Sequence, residues 1–221
     1  MNILITGSMG QLGRSLRRSL DFTDHQCIYT DVRGTGDVQA LDITDPEAVR
    51  ALVKGSEVDV IVNCAAYTNV SEAEVEEDVA CRVNAFAPGV LAAAAKEADA
   101  LLVHISTDYV FDGTGHLPYT EEMPAHPVNA YGRTKLAGEK AVVESGCRYM
   151  IFRTSWLYSP FGGNFVQTIY DKSAAQPSIK VVSDQVGSPT FAQDLADTIA
   201  SIIDGASLDK TGIYHYANEG V

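Results

Sequence analysis

The chain predicts an α/β fold with a doubly wound parallel sheet, and three observations carry that prediction. Short, nearly continuous apolar runs recur, each followed by a segment of helical spacing. The first run ends in Gly7-Ser8-Met9-Gly10-Gln11-Leu12-Gly13, a glycine turn that opens a helix. A fourth run ends in Ser106-Thr107-Asp108 and precedes a helix carrying Tyr131 and Lys135. Strands alternating with helices give a parallel sheet covered on both faces. The regular rhythm ends near residue 154, so residues 1–154 are expected to form a Rossmann-type dinucleotide-binding domain. Residues 155–221 are expected to form a small, apparently truncated C-terminal lobe of substrate-binding elements, with returns to the main sheet.

Each element has its own signal. Residues 2–6 are a strand, and Leu12, Leu16 and Leu20 set a helical stripe over residues 10–20. Cys27-Ile28-Tyr29 is a second strand ending at Asp31. Asp45-Pro46-Glu47 starts a helix, with Asp45 as N-cap and Pro46 in the first helical position. Val58 to Val62 is a third strand closing at Asn63. Residues 71–98 are rich in alanine and glutamate and read as helical, with a break near Pro88-Gly89. Residues 101–105 are the fourth strand; a loop rich in glycine and proline leads to a helix over about 129–145. Tyr149 to Phe152 is a fifth strand. Beyond it, Gly162-Gly163-Asn164-Phe165 starts a helix, Val181-Val182 reads as a short strand, and residues 192–204 are helical.

Composition narrows the function. With 221 residues and 46% hydrophobic content, one sizeable core is expected. A net charge of −13 argues against nucleic-acid or anionic-membrane partners, which demand clustered cations. Cys27, Cys64, Cys81 and Cys147 are scattered, so they are expected to be free, buried thiols of a reducing compartment. Met1 runs directly into Ile3-Leu4-Ile5 with no basic region and no long apolar stretch. A cytoplasmic location is the expectation.

The glycine turn is a candidate cofactor seat. Gly7 permits the tight turn, Gly10 lets the backbone approach a pyrophosphate, and Gly13 allows close helix–strand packing. Met9, Gln11 and Leu12 share that turn. Asp31, eighteen residues past Gly13, suits the hydrogen bonds of a ribose diol. It would repel a 2′-phosphate, whereas Arg33 would attract one; NADH and NADPH both remain open, with a lean to NADH. Small residues at Asn63-Cys64-Ala65-Ala66 leave room for a cofactor over the sheet's carboxyl edge.

Tyr131 and Lys135 are four apart and share one helix face, with Cβ atoms roughly 5–6 Å apart. A lysine ammonium there is expected to stabilise a tyrosinate and lower the phenol's pKa. Thr107, at the carboxyl end of the fourth strand, offers a hydroxyl to a carbonyl. Hydride transfer is the chemistry this combination suits.

On these residues the chain resembles the extended short-chain dehydrogenase/reductases, and among them the dTDP-4-dehydrorhamnose reductases. The matching segments run in order from Gly7–Gly13 through Asp42-Ile43-Thr44-Asp45, Asn63–Thr68, Ser106–Gly113 and Tyr131–Lys135 to Arg153–Tyr158 and Asp184–Thr190. The resemblance implies reduction of the 4-keto group of a dTDP-linked 6-deoxyhexose by NADH or NADPH. It implies that Tyr131 donates the proton, Lys135 binds the nicotinamide ribose, and Thr107 holds the carbonyl oxygen. Asp42 and Ile43 would flank the adenine, while Ala65, Ala66 and Tyr67 would line the cofactor. Thr68, Val70, Tyr109 and Trp156 would face the sugar, and Asn164 the nucleotide part. Asn84 falls where the fold keeps a structural asparagine.

Two departures accompany the resemblance. The family continues for several dozen residues beyond Val221, which points to a truncated chain. Certain members form a magnesium-linked dimer through a carboxylate on the first helix; here that region reads Arg14-Ser15, so no metal is carried over and a homodimer stays open. Two rival readings stand beside the reductase: a nucleotide-sugar epimerase or dehydratase of the same superfamily, and a non-catalytic NADP-binding regulatory subunit.

Overall fold

Nine strands and seven α-helices are assigned in the computed structural model, which describes residues 1–205 and 208–220. In chain order they are β1 (Asn2–Thr6), α1 (Gln11–Leu20), β2 (Gln26–Asp31), β3 (Gln39–Ala40), α2 (Pro46–Gly55) and β4 (Val60–Asn63). Then come α3 (Glu77–Cys81), α4 (Ala87–Glu97), β5 (Leu101–Thr107), α5 (Ala130–Ser145) and β6 (Arg148–Thr154). The last are β7 (Leu157–Tyr158), α6 (Phe165–Ala175), β8 (Thr190–Phe191), α7 (Ala192–Asp204) and β9 (Gly212–Tyr216).

Seven strands form one sheet in the order β3-β2-β1-β4-β5-β6-β9, all pairs parallel. The carboxyl ends therefore gather on one edge, where Thr107 is the register partner of Thr154. Alternate residues of the strands feed two cores. Leu4, Ile61, Leu102 and Ile151 pack with α2, α4 and α5, while Ile3, Val60, Val62, Val103 and Met150 pack with α1 and α7. Such doubly buried strands read as continuous apolar runs, and the sequence shows that. The α2 start is as expected: Asp45 accepts from the N–H groups of Glu47 and Ala48, and Pro46 follows it.

Several expectations change. β4 begins at Val60, two residues later than expected: the Val58 N–H turns back to the Val53 carbonyl of α2, and Asp59 joins the strand ends through bonds to Asn2 and Leu101. The expected strand at Val181-Val182 is absent, and both side chains are exposed. A small parallel pair, β7 with β8, stands after residue 154 instead, and β9 returns to the main sheet. The helix of residues 71–98 does not break at Pro88. A short 3-10 turn (Glu72–Glu74) precedes α3, and a wide π-type turn, Arg82–Phe86, joins α3 to α4 just before the proline. Pro88 has no N–H for the carbonyl four residues earlier, so Asn84 sits where the helix must widen. The cysteines are free, but only Cys147 is buried; Cys27 and Cys64 are half-buried and Cys81 is exposed.

Glycine fixes how α5 lies on its neighbours. A Cβ on Gly132 would stand 2.1 Å from the carbonyl oxygen of Tyr109, and one on Gly138 would stand 2.1 Å from that of Asn84. Asn129 caps the helix by accepting from Gly132 N–H at 2.7 Å, and Gly146 ends it with a left-handed φ of 71°.

Gly138→Ala should therefore destabilise the fold by about 1–3 kcal/mol, since the clash is with backbone. Gly55→Ala, at a helical position with open space around it, should be neutral or stabilising by up to about 1 kcal/mol. Urea unfolding of both variants checks the contrast; equal midpoints would disprove the close approach.

Candidate active site

The glycine turn sits at the carboxyl end of β1. Gly7 has φ +63°, and a Cβ there would lie 2.6 Å from Ala65 N. A Cβ on Gly13 would lie 2.4 Å from the Gly7 carbonyl oxygen, so turn and helix touch through backbone. Gly10 caps α1 without a side-chain hydrogen bond, leaving the helix N-terminus open to an anion. Ser8 Oγ is fully buried there and has no partner among the described residues. A pyrophosphate fits such a cradle: the uncapped first-turn N–H groups of α1, an open backbone at Gly10 and an unpaired hydroxyl. The N–H groups of Ser8, Met9 and Gly10 are bonded within the turn and to β2.

Asp31 stands beside it, its Oδ2 accepting from Met9 N–H at 3.1 Å and its Oδ1 from Val32 N–H at 2.9 Å. Met9 and Arg33 are exposed at the rim. The side chains of two turn residues point elsewhere. Leu12 is buried in the core, and Gln11 Oε1 accepts from Ser159 Oγ (2.9 Å) and Asn164 Nδ2 (3.1 Å). Only their backbone groups face the seat. Asp42 is exposed, and its carboxylate, bonded by the Thr44 hydroxyl and N–H, is held below the usual carboxylate range. Ile43 is buried in the core beside it.

Buried polar groups stitch the strand ends. Asn63 Oδ1 accepts from Thr6 Oγ1 (2.7 Å) and Ala65 N–H (3.2 Å), and its amide lies 3.0 Å from His104 Nδ1. That links β1, β4 and β5 at one level. Asn84, in the π-type turn, accepts from Tyr67 N–H (2.9 Å) and donates to the Tyr67 carbonyl (3.0 Å) and to Thr134 Oγ1 (3.2 Å). Through it, the segment Ala65-Ala66-Tyr67 is tied to α5. Thr68 is exposed and Val70 half-buried just beyond.

Tyr131, Lys135 and Thr107 meet at the carboxyl end of β5. Lys135 is 2% exposed, and its Nζ donates to the Ile105 carbonyl at 2.6 Å. Tyr131 is half-buried with its ring edge-on to Tyr109, centroids 5.7 Å apart. Thr107 Oγ1 donates to Asp108 Oδ1 (3.0 Å) and accepts from Tyr109 N–H (3.2 Å). The expected lowering of the Tyr131 pKa is not found. Burial pushes the phenol up to about 12, with Thr107 lowering it and Asp108 and Tyr109 adding to the rise. Burial also pulls Lys135 down to about 8, against the favourable charge of Glu139. Desolvation dominates both shifts, and the Lys135 ammonium donates to the Ile105 carbonyl, not to the Tyr131 phenol.

Trp156 follows β6 with φ +45°, an uncommon conformation for a large side chain, and stays 40% exposed. Its indole lies over Gly187, where a Cβ would stand 3.2 Å away. Asn164 is otherwise committed: it caps α6 through Gln167 N–H and donates to the Ser159 carbonyl and Gln11. Two groups near the centre were not singled out from the sequence. Asp108 carries a carboxyl that burial raises, next to Thr107, and Glu139 is a buried carboxylate one turn past Lys135. Continuing the spacing of four from Tyr131 through Lys135 points directly at Glu139.

These shifts predict a two-sided pH dependence of stability. Lys135 titrates near 8 when folded and near 10.5 when unfolded, so the unfolded chain binds the extra proton between them. Stability gained from this group rises as pH climbs through that window. Tyr131 titrates near 12 folded and 10.0 unfolded, so above pH 10 the folded state holds the extra proton and stability falls. Urea midpoints should rise from about pH 8 and turn down above about pH 9, and Lys135→Met should remove the rise. In the downturn the raised thiol of Cys64 and the raised phenols of Tyr29 and Tyr67 act in the same direction as Tyr131.

The family description "RmlD substrate binding domain" matches residues 1–221. A dTDP-4-dehydrorhamnose reductase of Burkholderia thailandensis is 42% identical over 226 residues, covering 100% of this chain and 74% of that one. The crystal structure of a dTDP-4-dehydrorhamnose reductase from Clostridium acetobutylicum superposes with a TM-score of 0.92 and 43% identity, over 100% of this chain and 75% of that one. A Bacillus anthracis dTDP-4-dehydrorhamnose reductase, solved with NADP, gives 0.89 and 39% identity over 99% of this chain and 75% of its own. Family match, identity and coverage agree, and the chain belongs to the RmlD substrate binding domain family.

Proposed function

We propose that the chain catalyses NAD(P)H-dependent reduction of the 4-keto group of dTDP-6-deoxy-L-lyxo-4-hexulose to dTDP-L-rhamnose. The observation that carries the reading is the convergence of Tyr131, Lys135 and Thr107 at one strand end, tied through Asn84 and Ala65 to the glycine turn. The relatives' shared name, and the NADP held by one of them, support the substrate and the cofactor.

The nicotinamide cofactor supplies a hydride to C4. The chain does the rest. The uncapped start of α1 and the bare Gly10 receive the pyrophosphate, and Asp31 with Arg33 meets the adenosine ribose, flanked by Asp42 and Ile43. Ala65, Ala66 and Tyr67 would line the cofactor. Tyr131 gives its phenolic proton to the oxygen on C4. Burial keeps that proton in place at neutral pH, which is the protonation state a reduction needs. Lys135 holds the nicotinamide ribose. Thr107 steadies the oxygen as charge grows on it, once its proton turns from Asp108 to the carbonyl. Trp156, Thr68, Val70 and Tyr109 bound the sugar, while Asn164 shapes the wall through its cap and its bond to Gln11. Free thiols at Cys27, Cys64, Cys81 and Cys147 suit the reducing cytoplasm.

The test follows NADH and NADPH oxidation separately, with enzymatically prepared 4-keto sugar nucleotide. Wild-type protein should oxidise one or both in step with product. Tyr131→Phe should lose about 10²–10⁴-fold in rate while binding the cofactor as before. No oxidation of either cofactor would overturn the reductase reading. Turnover without added reductant would point to an epimerase, which retains its NAD.

A further inference from the structure

Glu139 is buried one helical turn beyond Lys135, and no step of the proposed reaction uses it. Its carboxylate is shared by two neighbouring strands. Oε1 accepts from Ser106 Oγ on β5 at 2.5 Å and from Arg153 Nε on β6 at 3.0 Å. Oε2 accepts from Arg153 Nη2 at 2.6 Å. Ser106 and Arg153 are register partners, so one carboxylate grips the sheet immediately before Thr107 and Thr154. Arg153 is held in turn, its guanidinium over the Phe111 ring at 5.2 Å and Nη1 at 3.5 Å from His215 Nε2.

A buried ion pair of this kind often stabilises a fold no more than apolar residues of the same volume would. Its placement has a clearer consequence. Tyr131, Lys135 and Glu139 lie on one face of α5 at spacings of four. Lys135 donates to the Ile105 carbonyl, Glu139 takes the Ser106 hydroxyl, and Tyr131 lies beside Thr107. Three helix residues thus meet three consecutive strand residues, and a slip of α5 would misplace all of them.

We propose that Glu139 is a positioning residue: it locks α5 onto the carboxyl ends of β5 and β6 and keeps a negative charge one turn from Lys135. The consequence for turnover rests on the reductase reading; the coupling to Lys135 does not. Lys135 is faced by His104 from β5, kept neutral by burial and by Lys135 itself, and by Glu139 from its own helix. Tyr131 and Asp108 stand beside Thr107 at the end of β5. Arg153 of β6 and His215 of β9 lie beyond Glu139, with Glu121 bonded to the His215 N–H. Among these groups Glu139 favours the charged form of Lys135 against burial.

The test is a lysine-labelled NMR titration of the Lys135 side chain, assigned with Lys135→Arg, run beside the pH profile of turnover. In Glu139→Gln the Lys135 midpoint should fall by roughly 1 pH unit or more, and the alkaline limb of kcat should move with it. Glu139→Asp, which keeps the charge, should restore most of the midpoint, and Ser106→Ala should leave it in place. An unchanged midpoint in folded Glu139→Gln overturns the proposal. Should the orphaned Arg153 prevent folding, Glu139→Gln with Arg153→Met removes that charge, and the same comparison decides. A shifted midpoint in a protein that oxidises neither cofactor would uphold the coupling and sink the reductase reading.

Discussion

The closeness of α5 to its neighbours is the constraint on which the rest of the site depends. Gly132 and Gly138 admit the carbonyl oxygens of Tyr109 and Asn84 to distances that no side chain would permit. Only with the helix that deep can Lys135 reach the Ile105 carbonyl and Glu139 reach Ser106. The two glycines contribute by absence. The widened turn before Pro88 complements them, since it presents Asn84 to α5 on one side and to Tyr67 on the other.

The carboxyl edge of the sheet is organised by polar groups, not by the apolar cores beneath it. Thr6, Asn63 and His104 bond across three strands in a place with no water to compete, where an unpaired group would cost far more than a paired one gains. The edge is thereby rigid on the side of the cofactor seat. On the opposite side the Glu139–Arg153 pair plays the corresponding part between β5 and β6. Both stitched regions touch β5, whose last residue is Thr107.

Electrostatics at the centre is ruled by burial. A lysine one turn from a tyrosine ordinarily suggests a lowered phenol pKa, but here both residues lose solvent and each is pushed toward its neutral form. In the proposed reaction that direction would suit a proton donor, because the phenol keeps its proton at neutral pH. The lysine, by contrast, needs help to stay charged, and the nearest negative group is on its own helix.

Much of this was written in the sequence. The alternation of apolar runs with helical stripes, the glycine turn, the Asp45-Pro46 start and the spacing of Tyr131 and Lys135 are local patterns, and local geometry follows from them. The 3-10 and π-type turns around α3, the β7–β8 pair and the loss of the strand at Val181-Val182 were not legible, because each depends on what lies across space. A proline widens a helix or breaks it according to whether another element accepts the displaced carbonyl, and Gly138 settles that for Asn84. Likewise Gln11 and Asn164 belong to patterns that suggest ligand contact, yet they bond to each other across 153 positions of the chain. By itself the sequence determined which residues are candidates for the chemistry and which element bears each. The tertiary structure alone decided their protonation and their partners, because desolvation and hydrogen bonding are set by the groups that folding brings within reach.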